Sequence, residues 1–92
     1  MSERQFQARI LEAARGLRWQ AYHTFDSRRS QAGFPDLVLV RPPRLLFIEL
    51  KSEKGQVTAS QEVWWRALLG TGKVEYQLWR PHHWPEIEKT LA

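Results

Sequence analysis

Two apolar runs, residues 36–41 and 44–51, are separated only by Pro42-Pro43. Runs of this length bounded by prolines form strands, and so short a connection makes neighbouring strands antiparallel. A hairpin of two central strands is therefore predicted. Pro-Pro cannot supply the positive φ angles of the tight type I′ turn, which leaves room for a connection wider than two residues. A hairpin symmetric about the prolines faces Arg41 with Arg44 and Asp36 with Glu49.

That register has a chemical consequence. Directly opposed residues have Cβ atoms about 4.5–5.5 Å apart, and like charges there are destabilising. A divalent cation is the natural offset, and oxygen ligands without cysteine favour Mg²⁺ or Mn²⁺. Lys51 lies two residues after Glu49, so its side chain leaves the same face of the strand. An ammonium there can orient or activate a water, or stabilise charge developing on a phosphate. Asp36 with Glu49-x-Lys51 thus fits a metal-dependent phosphodiesterase site. A surface hairpin with an ordinary Glu–Lys ion pair is the plainer alternative. The fixed offset of Asp36 and the residues flanking it weigh against that alternative.

The remaining segments complete an α/β fold. Ser2 with Gln5 forms a capping box ahead of Phe6, Ile10, Ala13, Ala14 and Leu17. The spacing predicts a helix over about residues 3–15, stopped near Gly16. Residues 18–25 alternate, with Trp19, Ala21, His23 and Phe25 on one side, as in a half-buried strand. Residues 26–34 are polar and contain Gly33, a loop. Thr58 with Gln61 is a second capping box, followed by an apolar helical face of Val63, Trp64, Ala67 and Leu68. Val74, Tyr76 and Leu78 alternate with Glu75, Gln77 and Trp79 in a fourth strand. Pro85 suits the first turn of a short last helix holding Ile87 and Leu91. The order α-β-β-β-α-β-α describes a mixed sheet with helices packed on it.

The 92 residues fit a single domain, 1–92. The formal charge is +4, which points to a polyanionic partner, most commonly nucleic acid. The surplus is N-terminal: residues 1–31 carry six arginines against three acids, whereas residues 61–92 are neutral overall. The absence of cysteine excludes a disulfide framework, a Cys-based zinc site and a thiol nucleophile, and permits a reducing cytoplasm. No apolar run approaches the roughly 18–20 residues that span a bilayer, and the N-terminus has no signal-peptide h-region. A cytoplasmic protein with no membrane partner is expected.

The motifs also carry a resemblance. Residues 33–40 read Gly-Phe-Pro-Asp-Leu-Val-Leu-Val and residues 47–51 read Phe-Ile-Glu-Leu-Lys, followed by Gly55, Gln61 and Trp64. This set resembles the VRR-NUC domain (virus-type replication-repair nuclease), a branch of the PD-(D/E)xK nuclease superfamily. Nearly the whole chain takes part, from Glu3-x-x-Phe6 through Tyr22-His23 to Trp79-Arg80-Pro81. The resemblance implies a restriction-endonuclease-like core and a Mg²⁺-dependent, structure-specific DNA endonuclease, with Mn²⁺ as a substitute metal. It implies Asp36, Glu49 and the backbone carbonyl of Leu50 as metal ligands, with Lys51 on the water or the scissile phosphate. Glu3 would complete the metal shell or accept a proton; Glu12 falls on the opposite face of the helix. Gln61 would bond a site ligand or the DNA backbone, or serve only as the capping partner of Thr58. Stand-alone members of this kind, from phages and bacteria, resemble Holliday junction resolvases and act as homodimers on branched DNA. The expected setting is thus the cytoplasm of a bacterium or a phage-infected cell.

Other residues carry weaker signals. Ser27-Arg28-Arg29-Ser30 precedes Asp36 and reads as a phosphate clamp or as a solvated basic loop. Arg28, Arg29 and Ser30, with Lys54 after the hairpin, are the expected nucleic-acid contacts. His23 can face a phosphate or be a satisfied strand histidine, and His82-His83 reads as surface. Trp64 and Trp65 lie about 100° apart on a helix, so one is expected in the core and the other at a dimer interface. The alternative function is a catalytically silent module that holds branched DNA; retention of Asp36, Glu49 and Lys51 together argues against it.

Overall fold

The hairpin closes in the expected register. In the computed structural model, which describes residues 1–26 and 28–92, strand β2 (Leu37–Arg41) pairs antiparallel with β3 (Arg44–Leu50). Arg41 faces Arg44 and Leu37 faces Ile48. The connection is two residues and no wider, and the Pro42-Pro43 peptide is cis.

Helix α1 (Glu3–Gly16) starts at the predicted capping box: Gln5 N donates to Ser2 Oγ at 3.1 Å and Ser2 N to Gln5 Oε1 at 2.9 Å. Strand β1 (Gln20–His23) is shorter than the alternation suggested. It pairs only with β2, and the ladder runs out where Thr24 N donates to Asp36 O. Phe25 therefore leaves the strand instead of joining Trp19 in the core; it is 91% exposed, Trp19 3%. Helix α2 (Ala59–Gly70) is the crossover that lets β4 (Glu75–Trp79) pair parallel with β3. A 3-10 turn over Pro81–His83 leads into α3 (Trp84–Leu91). Among the described residues the sheet order is β1-β2-β3-β4.

The side-chain period of two divides the sheet into two faces. Leu37, Leu39, Leu46, Ile48, Leu50 and Trp79 form one core with Phe6 and Ile10 of α1 and Ile87 and Leu91 of α3. The other face lies under α2, where Phe34 meets Phe47 and Trp64 edge-on and Trp65 tilts over Tyr76. The face expected of α2 is corrected: Val63 is 67% exposed, Ala67 is also exposed, and the helix buries no residue fully. Neither tryptophan is core. Trp64 is half-buried and its Nε1 donates to Ala32 O, and Trp65 is exposed. The helix is held at its first turn and by aromatic edges, not by an apolar stripe.

Like charges at the hairpin tip share one aromatic ring but find separate hydrogen-bond partners. The Arg41 and Arg44 guanidiniums both pack on the Trp19 ring, at 4.5 and 5.1 Å from its centroid. Arg41 donates to Leu17 O, Leu91 O and Ala92 O, satisfying carbonyls at the ends of α1 and α3. Arg44 donates to Thr90 O and grips Glu75 with two bonds of 2.8 Å. That fork holds the Glu75 carboxyl below its ordinary value of 4.5. A depressed folded value gives stability that is present above 4.5 and lost as pH falls through the folded value. Glu75→Gln is thus expected to lower stability at neutral pH by less than about 1 kcal/mol, since both side chains are partly exposed. Urea melts should show the gap from the wild type closing on acidification below the ordinary carboxylate pKa.

Candidate active site

Glu49 is the one buried ionisable side chain among the described residues. It is 2% exposed and alternates with Ile48 and Leu50, so it points to the α2 face while its neighbours fill the opposite core. Its Oε2 accepts from Gln61 Nε2 at 3.0 Å. Its Oε1 is buried and has no hydrogen-bond partner among the described residues. Burial first, and the Asp36 carboxylate next, hold the Glu49 carboxyl well above the usual carboxylate range.

Asp36 sits one residue before β2, opposite Glu49 by the register. Its Oδ2 accepts from Leu50 N at 2.8 Å, which ties it to the end of β3. Lys51 continues that strand end, where its backbone N donates to Trp79 O. The ammonium lowers the Glu49 carboxyl's tendency to stay protonated but does not overcome burial.

Gln61 makes two contacts at once. Its Oε1 accepts from Thr58 N at 2.9 Å in the capping box, and its Nε2 faces Glu49. The start of α2 is thereby bonded to the carboxylate. Gly33 makes that approach possible. Its φ is +83°, and a Cβ there would lie 2.3 Å from the Ser60 carbonyl carbon and 2.7 Å from Gln61 N.

Glu3, in the first turn of α1, comes near the pair from the other side of the sheet. Its carboxyl is raised by burial and then by Asp36, with Lys51 opposing. The three acids do not gather into a ready ligand cluster: among the described residues no three His, Asp or Glu side chains are grouped to hold a metal. Burial and the neighbouring Asp36 favour the protonated form of the Glu49 carboxyl. The donor set still suits a hard divalent ion, because it is all oxygen and Glu49 Oε1 is buried with no other partner.

The expected nucleic-acid residues are spread more widely. Ser27 lies outside the described residues. Arg28 and Arg29 are about nine-tenths exposed, at 3.7 and 3.8 Å from the two Asp26 oxygens. Ser30 Oγ donates to Asp26 O, so this residue braces the turn. Lys54 is exposed beside a separate hollow formed with Gly55 and Arg80. His23 is half-buried, and its Nδ1 has no partner among the described residues, so it is not a satisfied strand histidine.

Two features escaped the sequence reading. Tyr76, on β4, has its phenol pushed up by burial, then by Glu49 and Asp36, so it keeps its proton beside the acids. Arg80 donates to Ser52 O and Gly55 O, both at 2.7 Å, and so holds the turn that follows Lys51. His82 pairs with both Glu53 oxygens and His83 Nδ1 accepts from Arg80 N, which completes that clasp. The alternation placing Tyr76 on one side of its strand could have hinted at the first of these.

Similarity to known proteins covers most of the chain. The profile of the VRR-NUC domain family matches residues 1–78. A solved structure titled as a VRR_NUC domain protein superposes with a TM-score of 0.63 at 18% identity, covering 87% of this chain and 78% of that one. The Holliday junction resolvase Hjc of Archaeoglobus fulgidus superposes with a TM-score of 0.54 at 21% identity, covering 86% of this chain and 65% of that one. Among curated proteins none matches. The fold is thus the restriction-endonuclease-like one, with a four-stranded mixed sheet and three helices. No helix of the described residues is long and apolar enough to cross a membrane.

Proposed function

This chain belongs to the VRR-NUC domain family, and from that premise we propose a Mg²⁺-dependent, structure-specific endonuclease acting on branched DNA such as four-way junctions. The observation that carries the proposal is the buried Glu49, bonded to Gln61, set beside Asp36 and left with one unpartnered oxygen. A carboxylate so placed is costly to bury unless its charge is matched. Asp36, Glu49 and the Leu50 carbonyl would hold the ion, with Glu3 completing the set. A divalent cation held there supplies a Lewis acid that acidifies a water and offsets charge on the phosphate.

The chain's own groups do the rest. Lys51 donates from its ammonium to a phosphate oxygen or to the attacking water. Gln61 fixes the Glu49 carboxyl through Oε2, leaving Oε1 without a partner among the described residues. Glu3, whose carboxyl is raised by burial and then by Asp36, is the group placed to accept the water's proton. Tyr76 stays protonated and remains a donor. Arg28, Arg29, Ser30 and Lys54 supply contacts to the DNA backbone. The reading includes a homodimer, for which Trp65, Leu69 and Val57 beside the outer strand β4 supply an exposed apolar face.

The test is cleavage of a labelled four-way junction in Mg²⁺, with EDTA as the control. Cutting should vanish in EDTA and fall at least about a hundredfold in Lys51→Ala, since one positioned charge contributes about 3 kcal/mol to such a transition state. Salt-sensitive binding with no metal-dependent cutting would instead make the chain a silent branched-DNA-binding module.

A further inference from the structure

A cleft of about 400 Å³ opens beside the candidate site, between the first turns of α1 and the end of β1. Its walls are Glu3, Arg4, Gln7, His23, Thr24 and Phe25. Glu3 belongs to both the cleft and the site. Thr24 ties the two together, since its N donates to Asp36 O and its Oγ to Pro35 O. Whatever fills this cleft therefore lies next to the acids.

The lining is chemically mixed in a particular way. Phe25 presents an almost fully exposed ring at the rim, 6.3 Å from the His23 ring. The residues on either side of the ring are anchored: Thr24 is bonded to the strand-end carbonyls, and Asp26 accepts from Arg28 N and Ser30 Oγ. Arg4 and Gln7 stand one turn apart on the same face of α1, offering a cation and an amide with both donor and acceptor. Beyond Phe25 come the exposed Arg28 and Arg29. An aromatic platform, a hydrogen-bonding edge and flanking cations are what an unpaired nucleotide needs, since every base has a face to stack and a backbone to neutralise.

We infer that this cleft takes an unpaired or splayed nucleotide next to the scissile phosphate, with the base stacked on Phe25 and its backbone met by Arg4. The inference rests on the nuclease reading above and deepens it: preference for branched over continuous duplex DNA comes from Phe25. A paired base in a continuous stack cannot present its face to the ring.

The test is binding of the full chain, in EDTA, to a four-way junction, a flap and a continuous duplex. Each DNA carries 2-aminopurine at the branch point or the matching duplex position. Stacking on the ring should alter the fluorescence of the branched DNAs alone. Phe25→Ala should abolish that change and weaken branched-DNA binding at least about fivefold, the lower end for one stacked base, leaving duplex binding and the melting temperature unaltered. Phe25→Trp should retain the signal. Equal losses on all three DNAs, or no loss on any, would overturn the inference even if metal-dependent cleavage is intact. A Phe25-dependent signal without cleavage would support the cleft and sink the nuclease reading instead. A chain that binds none of the DNAs would overturn both.

Discussion

Glu49→Ala will remove metal-dependent cleavage, by about a thousandfold or more, while leaving the protein folded. The magnitude follows from losing the cation's several kcal/mol of transition-state stabilisation, with tenfold in rate for each 1.36 kcal/mol. Single-turnover cleavage of the four-way junction reads the loss, and circular dichroism reads the fold. Cutting that survives Glu49→Ala would remove Glu49 from the site. Glu49→Gln separates charge from shape. It keeps an oxygen for Gln61 Nε2 to donate to, and it cannot ionise. In the metal-free wild type the Glu49 carboxyl is raised above its ordinary 4.5. Its contribution to stability is therefore full below that value and is lost as pH rises through the folded one. Metal-free wild type should weaken on going from mildly acid to mildly alkaline buffer, and Glu49→Gln should weaken less. Added Mg²⁺ should restore the wild type by mass action and do nothing for Glu49→Gln.

Gly33→Ala will be the most damaging of the glycine-to-alanine changes. Its cost has two sources. The residue adopts a φ of +83°, which an L side chain rarely tolerates. The added Cβ would also sit 2.3–2.7 Å from the backbone of Ser60 and Gln61, which cannot swing aside as a side-chain tip can. Strain of this kind costs about 1–3 kcal/mol, and the clash adds to it. At roughly 4–8 °C for each kcal/mol in a domain of this size, the melting temperature should fall visibly. The first turn of α2 must move, and with it Gln61 and its bond to Glu49. Cleavage should therefore fall further than the loss of folded protein explains. Wild-type stability and activity in Gly33→Ala would show that α2 is not anchored through this contact.

Much of this was legible in local pattern. The Pro42-Pro43 break set the hairpin register, and so the offset of Asp36 from Glu49, because strand pairing leaves a two-residue connection no freedom. The two capping boxes marked the starts of α1 and α2, because their bonds run between residues three apart. Other features had no such signal. Phe25 continued the alternation of β1, but its partner strand ended first, and a strand is only as long as its ladder. Val63 and Ala67 matched a helical stripe, yet α2 rests on Phe34 and Tyr76 through its aromatic edges and turns those two outward. Arg80 gave no hint that it would bridge the turn after Lys51, because that contact spans more than twenty residues of chain.

The amino-acid sequence by itself determined the element order, the register that opposes two acids, and the presence of a lysine on the same strand face. All of these depend on neighbours along one chain or across one tight turn. Tertiary structure alone decided that Glu49 is buried, that Gln61 serves the helix cap and the carboxylate together, and that Glu3, on a different helix, comes within electrostatic range of Asp36. Each of these needs two elements distant in sequence to pack against the same sheet. The surrounding low dielectric, which turns an ordinary pair of acids into one that retains a proton or calls for a cation, exists only after that packing is complete.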